Sequence, residues 1–402
     1  MSIDCHIATA DKYASNNYTS IQKSFIIGRG IYVFDENNMK YMDCISGYSA
    51  LNQGHCHPNI VKAASNQINK LTLTSRAYHN DKMGEYCKKL CETFNYEKVL
   101  LMNGGVESGE AAIKIARKWG YENKKVPQNK AQSVFFNNNF WGRSLAACSS
   151  SNDPQCYDNF GPYIPNFHLL DYNNINQLHD FLDENPNTVS VMLDPIQGEG
   201  GIILPKKHFL QDVRELCNLY NVLMIADEVQ TGLGRTGKML ACDHYNIRPD
   251  ILCLGKALSG GFYPISAVLA NTEIMSVLKP GTHGSTFGGN PLACSIGTAA
   301  LKVIEDEELC ENSEKMGKYF REKIELHALS QNVKEVRGIG LLNAIEFNTE
   351  QQANNFVQKM LEKRVLTKST RNTSVRITPP LTITKPQMTT LINKILKVLR
   401  TV

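Results

Sequence analysis

Between residues 97 and 270 the chain alternates short, almost unbroken apolar runs with longer stretches of helical periodicity. The runs Val99–Met102, Ser133–Phe136, Phe167–Leu170, Val189–Leu193, Val222–Ala226, Ile251–Leu254 and Ile265–Ala270 read as strands. Strands apolar on both faces need helices on both sides, so the rhythm predicts βαβ units around a mostly parallel sheet, an α/β fold. Polar residues collect where the runs end: Asn103-Gly104-Gly105, Asp194-Pro195, Asp227-Glu228 and Lys256. Those ends form the carboxyl edge, where open α/β sheets take their ligands.

From about Pro291 the pattern lengthens into amphipathic helices over Leu292–Glu305, Glu308–Leu326 and Gln351–Lys363, broken by short strands at Leu341–Phe347 and Ser374–Ile377. This mixture predicts a smaller C-terminal α+β unit. At the other end, "IYVFDENNMKYMDC" places two extended stretches around a polar turn and predicts a small hairpin. The pattern thus divides the chain into an N-terminal segment (1–45), a large domain (46–290) and a small C-terminal domain (291–402). No internal repeat or low-complexity tract interrupts it.

Composition narrows the function class. The 402 residues suffice for roughly two to three cores, and 42% hydrophobic residues is ordinary for a globular chain. Forty-three basic residues against 39 acidic ones give a net charge of +4, evenly spread, which argues against nucleic acid or a membrane surface and for small-molecule chemistry. The opening "MSIDCHIATADKYASNNYTS" has neither an apolar core nor an arginine-rich amphipathic pattern, and no run reaches the length of a membrane span, so a cytoplasmic protein is expected. Twelve scattered cysteines fit reduced thiols. Cys148 and Cys156 bracket "SSSNDPQ", a polar turn that can bring the two sulfurs together. Two ordinary thiols and a reversible redox pair, acted on by a thiol reductant, are the two readings.

Three stretches carry candidate chemistry. In "LMNGGVESGEAAIKIARKWG" a strand runs into a Gly-rich turn and then a helix, predicted to begin near Glu107 or Ser108. Backbone N–H groups at such a start, reinforced by the helix dipole, bind phosphate without a basic side chain; a plain tight turn is the other reading. In "VLMIADEVQTGLGRTG", Asp227 ends a buried strand and wants a cationic partner, from the protein or from a ligand. The glycines Gly232, Gly234 and Gly237 match a dinucleotide fingerprint, but Asp227 and Glu228 stand between strand and glycines, and little chain follows before "NIRPD". In "CLGKALSGG", Lys256 follows an apolar strand among small residues. A phosphate-binding turn, a carboxylate and a lysine at one sheet edge together fit pyridoxal phosphate. The lysine forms the Schiff base, the carboxylate pairs with the pyridinium nitrogen, and the phosphate takes the helix start. Once displaced by an incoming amine, the lysine can move the substrate proton.

With these residues in view, the chain resembles the class III, fold-type I pyridoxal-phosphate aminotransferases, in particular the branch that acts on the δ-amine of ornithine. The resemblance spans nearly the whole chain through "GYSALNQGHCHP", "LTLTSRAYHND", "MNGGVESGEAAIKIARKWG", "FWGRSLAA", "DPIQGEGG", "IADEVQTGLGRTGKMLACDH", "LGKALSGG" and "GSTFGGNPLA". It implies a homodimer with shared active sites. It also implies the Schiff base on Lys256, the pyridinium contact on Asp227, the ring hydroxyl on Gln230 and Phe140 stacked on the ring. The phosphate would be held by the backbone of Gly105 and Val106 and by Ser285 and Thr286 of the neighbouring subunit.

For substrates, the resemblance implies ornithine as donor and 2-oxoglutarate as acceptor in a ping-pong reaction giving glutamate 5-semialdehyde and glutamate. Tyr48 and Arg143 would hold the α-carboxylate of ornithine, with Tyr78 shaping the pocket. Arg376 would hold the α-carboxylate of glutamate or 2-oxoglutarate while Arg143 takes the γ-carboxylate, the planar guanidinium suiting each task. Glu199 would pair with Arg376 in the first half-reaction and release it in the second. Acetylornithine or 4-aminobutyrate transamination is the neighbouring alternative, and a nicotinamide oxidoreductase a distant one. Asp194 stands where the family pattern leads one to expect glutamate, and no role is assigned to it. His55, Cys56 and His57 in "GHCHP" lack a second ligand cluster, so a turn is expected there and no metal.

Overall fold

The computed structural model describes residues 3–328 and 333–401. The hairpin expected near the N-terminus is present. Strands β2 (Tyr32–Asp35) and β3 (Lys40–Asp43) pair antiparallel, and β1 (Phe25–Arg29) extends them. Asp35 shapes the turn, its Oδ1 accepting the N–H groups of Asn37 and Met39 at 3.0 and 2.9 Å.

The central sheet contains β4 (Lys98–Met102), β5 (Gln132–Phe136), β6 (Phe167–Leu170), β7 (Thr188–Leu193), β8 (Leu223–Asp227), β9 (Ile251–Leu254) and β10 (Ser266–Ala270). Each expected strand is there, some with an end moved by one residue. The spatial order is β4-β10-β9-β8-β7-β5-β6. All pairings are parallel except those of β10, which runs antiparallel between β4 and β9. Every residue of β7, β8, β9 and β10 is buried, as continuous apolar strands require. The register that sets Asp227 beside Cys253 brings Asp227 and Lys256 to one edge of the sheet.

Strands β11 (Val333–Ile339), β12 (Leu342–Phe347), β14 (Lys368–Thr370) and β15 (Ser374–Ile377) form a third sheet in the order β11-β12-β15-β14. The short β13 (Val365–Leu366) leaves that sheet and pairs in parallel with β3, so the N-terminal strands and the C-terminal region share a sheet. A closing helix, Lys385–Leu399, is absent from the expected elements. It starts with Pro386 in the first turn and buries Met388, Leu391, Ile392, Ile395, Val398 and Leu399, a helical spacing. No helix among the described residues is long and apolar enough to cross a membrane.

Two local expectations need correction. The helix after the Gly-rich turn begins at Gly105, not near Glu107 or Ser108. The carboxylate of Glu107 reaches back to accept the N–H groups of Asn103 and Gly104, both at 2.7 Å, and so starts the helix two to three residues early. The glycines Gly232, Gly234 and Gly237 open no helix, and the next ordered element is the 3-10 turn Ala241–Tyr245. Gly234 and Gly237 adopt φ of +85° and +96°, and a Cβ there would meet Leu381 at 3.0 Å and Glu314 at 3.1 Å. These glycines admit the C-terminal region to close contact, which removes the structural basis of the dinucleotide reading.

Candidate functional site

The site is built where β8 and β9 end against the start of the helix Gly105–Glu122. Close approach there depends on Gly105, whose added Cβ would lie 2.8 Å from Val229 Cγ1. The N–H groups of Gly105 and Val106 donate to nothing among the described residues, because the first turn of a helix has no carbonyl to serve them. A Cβ on Gly104 would meet only Val106 Cγ1 at 3.9 Å, so a hollow stands beside those two donors. Ser285 Oγ lies next to this turn in the same chain, accepting Asn103 Nδ2 at 3.0 Å, whereas Thr286 is exposed.

Asp227 is buried, and its Oδ1 accepts the Val229 N–H at 2.9 Å. Among the described residues no cationic side chain pairs with it. Burial pushes its carboxyl up to about 6, against the lowering effects of the Val229 N–H and the Lys256 charge. Asp194 accepts the Phe140 N–H at 3.2 Å, and burial together with the Asp227 charge raises it well above the usual carboxylate range. Burial disfavours the ionised form of both carboxyls, and a cationic group brought beside them would favour it.

Lys256 itself has φ of +44°, in the left-handed region that a residue with a side chain adopts only when its surroundings impose it. Desolvation lowers its amine below the ordinary lysine value, outweighing the Glu199, Asp227 and Asp194 carboxylates that favour the charged form. A less protonated amine is a nucleophile and a base, which the snorkelling lysine of a surface strand is not.

Around this core, Arg376 Nη1 donates to Glu199 Oε1 at 2.5 Å, and Gln230 Nε2 donates to the same oxygen at 3.2 Å. Burial alone would raise the Glu199 carboxyl, but the charge and hydrogen bond of Arg376, with help from Lys256 and Gln230, hold it below the usual range. The Arg376 guanidinium also lies 5.2 Å from the centre of the Tyr48 ring. Residues Ser46 to Ser49 all have positive φ, and Ser46 Oγ ties this turn to Thr378 O at 2.6 Å, fixing Tyr48 beside the strand that carries Arg376. Tyr48, Glu199, Gln230 and Arg376 are therefore brought together as expected.

Arg143 and Tyr78 are not drawn into this cluster. Arg143 is exposed, donating to Gln155 O at 3.2 Å and lying 5.8 Å from the Phe140 ring, and Tyr78 is 73% exposed. Cys148 and Cys156 are buried thiols with Sγ atoms 3.8 Å apart. They straddle Gly142-Arg143: Cys148 Sγ lies 3.9 Å from Arg143 O, and Cys156 Sγ 3.9 Å from Gly142 O. His55 and His57 pair with Asp43 and Glu307, at 2.9 and 2.8 Å, and no metal-ligating cluster exists among the described residues.

Sequence reading missed Lys368, whose Nζ donates to Tyr48 Oη at 2.8 Å. Only a hairpin register for "TKSTRNTSVRI" would have found it, since β14 and β15 place Lys368 directly opposite Arg376. It also missed Arg235, which is fully buried and donates to Leu341 O at 3.0 Å, Pro379 O at 2.7 Å and Asn52 Oδ1 at 2.6 Å.

Comparison with known proteins gives the family. Residues 13–399 match the family described as aminotransferase class III. Over 382 residues the chain is 50% identical to a protein named mitochondrial ornithine aminotransferase from Drosophila melanogaster, covering 95% of this chain and 88% of that protein. A crystal structure titled as the ornithine aminotransferase of Toxoplasma gondii superposes with a TM-score of 0.98 at 45% identity, covering 100% of this chain and 95% of that one. A structure titled for redox regulation of Plasmodium falciparum ornithine δ-aminotransferase gives 0.90 at 44% identity, covering 100% and 98%. The architecture is accordingly fold type I of the pyridoxal-phosphate enzymes. With its family match running through both ends of the site just described, the chain belongs to the class III aminotransferases.

Proposed function

We propose that this chain transfers the δ-amino group of L-ornithine to 2-oxoglutarate, giving L-glutamate 5-semialdehyde and L-glutamate in two half-reactions at one site. The observation that carries the reading is the Arg376–Glu199 pair beside Tyr48, a cation that one substrate must find occupied and the other must find free. Class III aminotransferases use pyridoxal phosphate, which when bound supplies an electron sink that acidifies a carbon-bound proton of the substrate. The residues fit that group: a desolvated lysine amine, a buried carboxylate without a protein cation, and two free N–H groups over a hollow. Lys256 would hold its aldehyde end, Asp227 its ring nitrogen, Gln230 its hydroxyl and Phe140 its ring face. Gly105 and Val106 would hold its phosphate, with the exposed Thr286 and its neighbour Ser285 reaching it from a second subunit although Ser285 of the same chain also lies against the turn.

The chain's own residues then divide the work. Lys256 Nζ, its basicity lowered by burial, takes and returns the substrate proton. Tyr48 would grip the α-carboxylate of ornithine together with Arg143, which must exchange Gln155 O for the substrate, and Tyr78 would help shape the pocket, keeping the α-amine away from the reacting centre. Glu199 meanwhile neutralises Arg376. A dicarboxylate competes with Glu199 for the guanidinium, so that Arg376 takes its α-carboxylate and Arg143 its γ-carboxylate.

A homodimer belongs to this reading. Phe287 is exposed in the loop that touches the Gly-rich turn through Ser285, and Leu71, Leu73 and Tyr78 are exposed in a second loop; Gly289 of the first approaches Arg76 of the second. Apolar surface of this kind beside a site is suited to a second copy. The working units are the N-terminal segment 1–45, the large domain 46–290 and the small domain 291–402, with the β3–β13 pairing stitching the first to the last. A reducing compartment such as the cytoplasm belongs to the same reading, since the twelve scattered cysteines lack the spacing of a disulfide framework. Within it, Cys148 and Cys156 would serve as a switch. A small-molecule disulfide would take two electrons and two protons from the thiols, leaving one S–S bond and two released thiols, and a thiol reductant would reverse the step. The bond would draw on the Gly142-Arg143 segment between the two sulfurs.

Hydride trapping of the holoenzyme followed by peptide mapping tests the core of the reading. The label is expected on Lys256. Single-turnover spectra with ornithine, N-acetylornithine and 4-aminobutyrate test the substrate, with ornithine expected to react fastest. A label elsewhere, or a preference for either other amine, would overturn it.

A further inference from the structure

Lys368 stands opposite Arg376 on neighbouring strands, and both cations approach the same tyrosine ring, at 5.3 and 5.2 Å from its centre. Their commitments differ. Arg376 is engaged by Glu199, while no carboxylate among the described residues pairs with Lys368, and its named hydrogen-bond partner is Tyr48 Oη at 2.8 Å. An ammonium can only donate, so the phenol oxygen must accept on that side. The phenol hydrogen is then directed elsewhere, and Tyr48 Oη donates to no group among the described residues. Tyr48, Gln230, Lys368 and Arg376 border a small cavity together with the apolar Ile45 and Leu342.

We propose that Lys368 is a positioning residue for the recognition of a substrate carboxylate. By fixing Tyr48 Oη as its acceptor, it turns the tyrosine into an O–H donor aimed at the carboxylate of the diamino acid. Its charge counts most in the half-reaction in which Glu199 cancels Arg376, because Lys368 is then the unneutralised cation at Tyr48. The turn from Ser46 to Ser49 is tethered to Thr378 O by Ser46 Oγ at 2.6 Å, which keeps the phenol beside the strand that carries Arg376. This inference rests on the ornithine reading above and adds to it a residue that sets affinity for the amine donor.

The test uses holoenzyme variants Lys368→Met, Lys368→Arg, Tyr48→Phe and the double variant Lys368→Met/Tyr48→Phe, each checked for cofactor content and melting temperature. Loss of a charge-assisted hydrogen bond should raise KM for ornithine by about tenfold in Lys368→Met, with kcat moved less than about threefold, and Lys368→Arg should recover most of the affinity. In the Tyr48→Phe background the same lysine change should have less than about a twofold effect, since the group it positions is gone. An unchanged KM in Lys368→Met, or an equal penalty with and without the Tyr48 hydroxyl, would overturn the proposal. If the unsubstituted enzyme itself failed to turn over ornithine, the functional reading would fall first, and the two failures are thereby distinguished.

Discussion

Arg376 and Glu199 hold one another through a 2.5 Å hydrogen-bonded ion pair, and Gln230 binds the same carboxylate oxygen from a third direction. The pair is mostly buried, with the carboxylate side chain 26% exposed and the guanidinium side chain 7%. Removing Glu199 leaves a buried cation in need of a carboxylate, and a dicarboxylate substrate supplies one. In Glu199→Ala, kcat/KM for glutamate relative to ornithine should rise by about tenfold, read by single-turnover spectroscopy with each amine. An unchanged ratio would remove the gate from the scheme.

The pair also has a definite pH sign. The folded-state Glu199 carboxyl lies below its ordinary value, so the ion pair is intact above the unfolded pKa and lost only as pH falls through the depressed folded one. Selectivity for ornithine over glutamate should therefore stay constant down to the ordinary glutamate range and fail only on further acidification.

Asp227 behaves in the opposite sense. Burial raises it to about 6 from 3.8, so the folded apoprotein binds a proton there that the unfolded chain has already lost. Its contribution is fully present below the unfolded value and is lost as pH rises through the folded one, which makes wild-type apoprotein lose stability between pH 3.8 and about 6. Asp227→Asn should flatten that slope in denaturant titrations. The same variant should lower kcat of the holoenzyme by about a hundredfold or more, since the cofactor ring loses its charged partner.

Cys148 and Cys156 predict a reversible loss of activity. Oxidised glutathione should inhibit the wild-type enzyme mainly through a higher KM, because the 148–156 bond would disturb Arg143, and a dithiol should restore it. Cys148→Ser and Cys156→Ser should each be resistant. Mass spectrometry of the inhibited enzyme should find the Cys148–Cys156 crosslink, and inhibition without it would rule out the switch.

Arg235 predicts a stability defect without a direct chemical one. Its guanidinium is held by carbonyl and amide oxygens, and burial pulls it down to about 9. Arg235→Met leaves Leu341 O, Pro379 O and Asn52 Oδ1 without that donor, and a loss of roughly 1–3 kcal/mol is expected, the cost of leaving a buried acceptor unsatisfied. Thermal unfolding should show it as a lower Tm. A shift within error would show that the three oxygens find other donors.

Local order was the most legible part of this chain. The continuous apolar strands β7, β8 and β9 are visible because a strand buried on both faces has no polar position to hide it, and the residues ending β8 and β9 mark the working edge directly. The start of the helix at Gly105 was misplaced because its cap is a side chain reaching back from Glu107, which a forward reading assigns to the helix body. The final helix Lys385–Leu399 went unread although its spacing is regular.

Lys256 and Asp227 could thus be named from the residues themselves, since a charge at the end of an apolar strand needs a chemical reason, whereas Arg376 and Glu199 entered only through the family resemblance. Their company could not. That Arg376 is engaged, that Lys368 turns the Tyr48 phenol, that Cys148 and Cys156 lie 3.8 Å apart and that Arg235 ties Asn52 to Leu341 are matters of register and of contacts between segments far apart in sequence. Periodicity reports which face of an element is buried. Only the packed fold decides what that face meets, because side-chain distances depend on how the sheets are registered against one another.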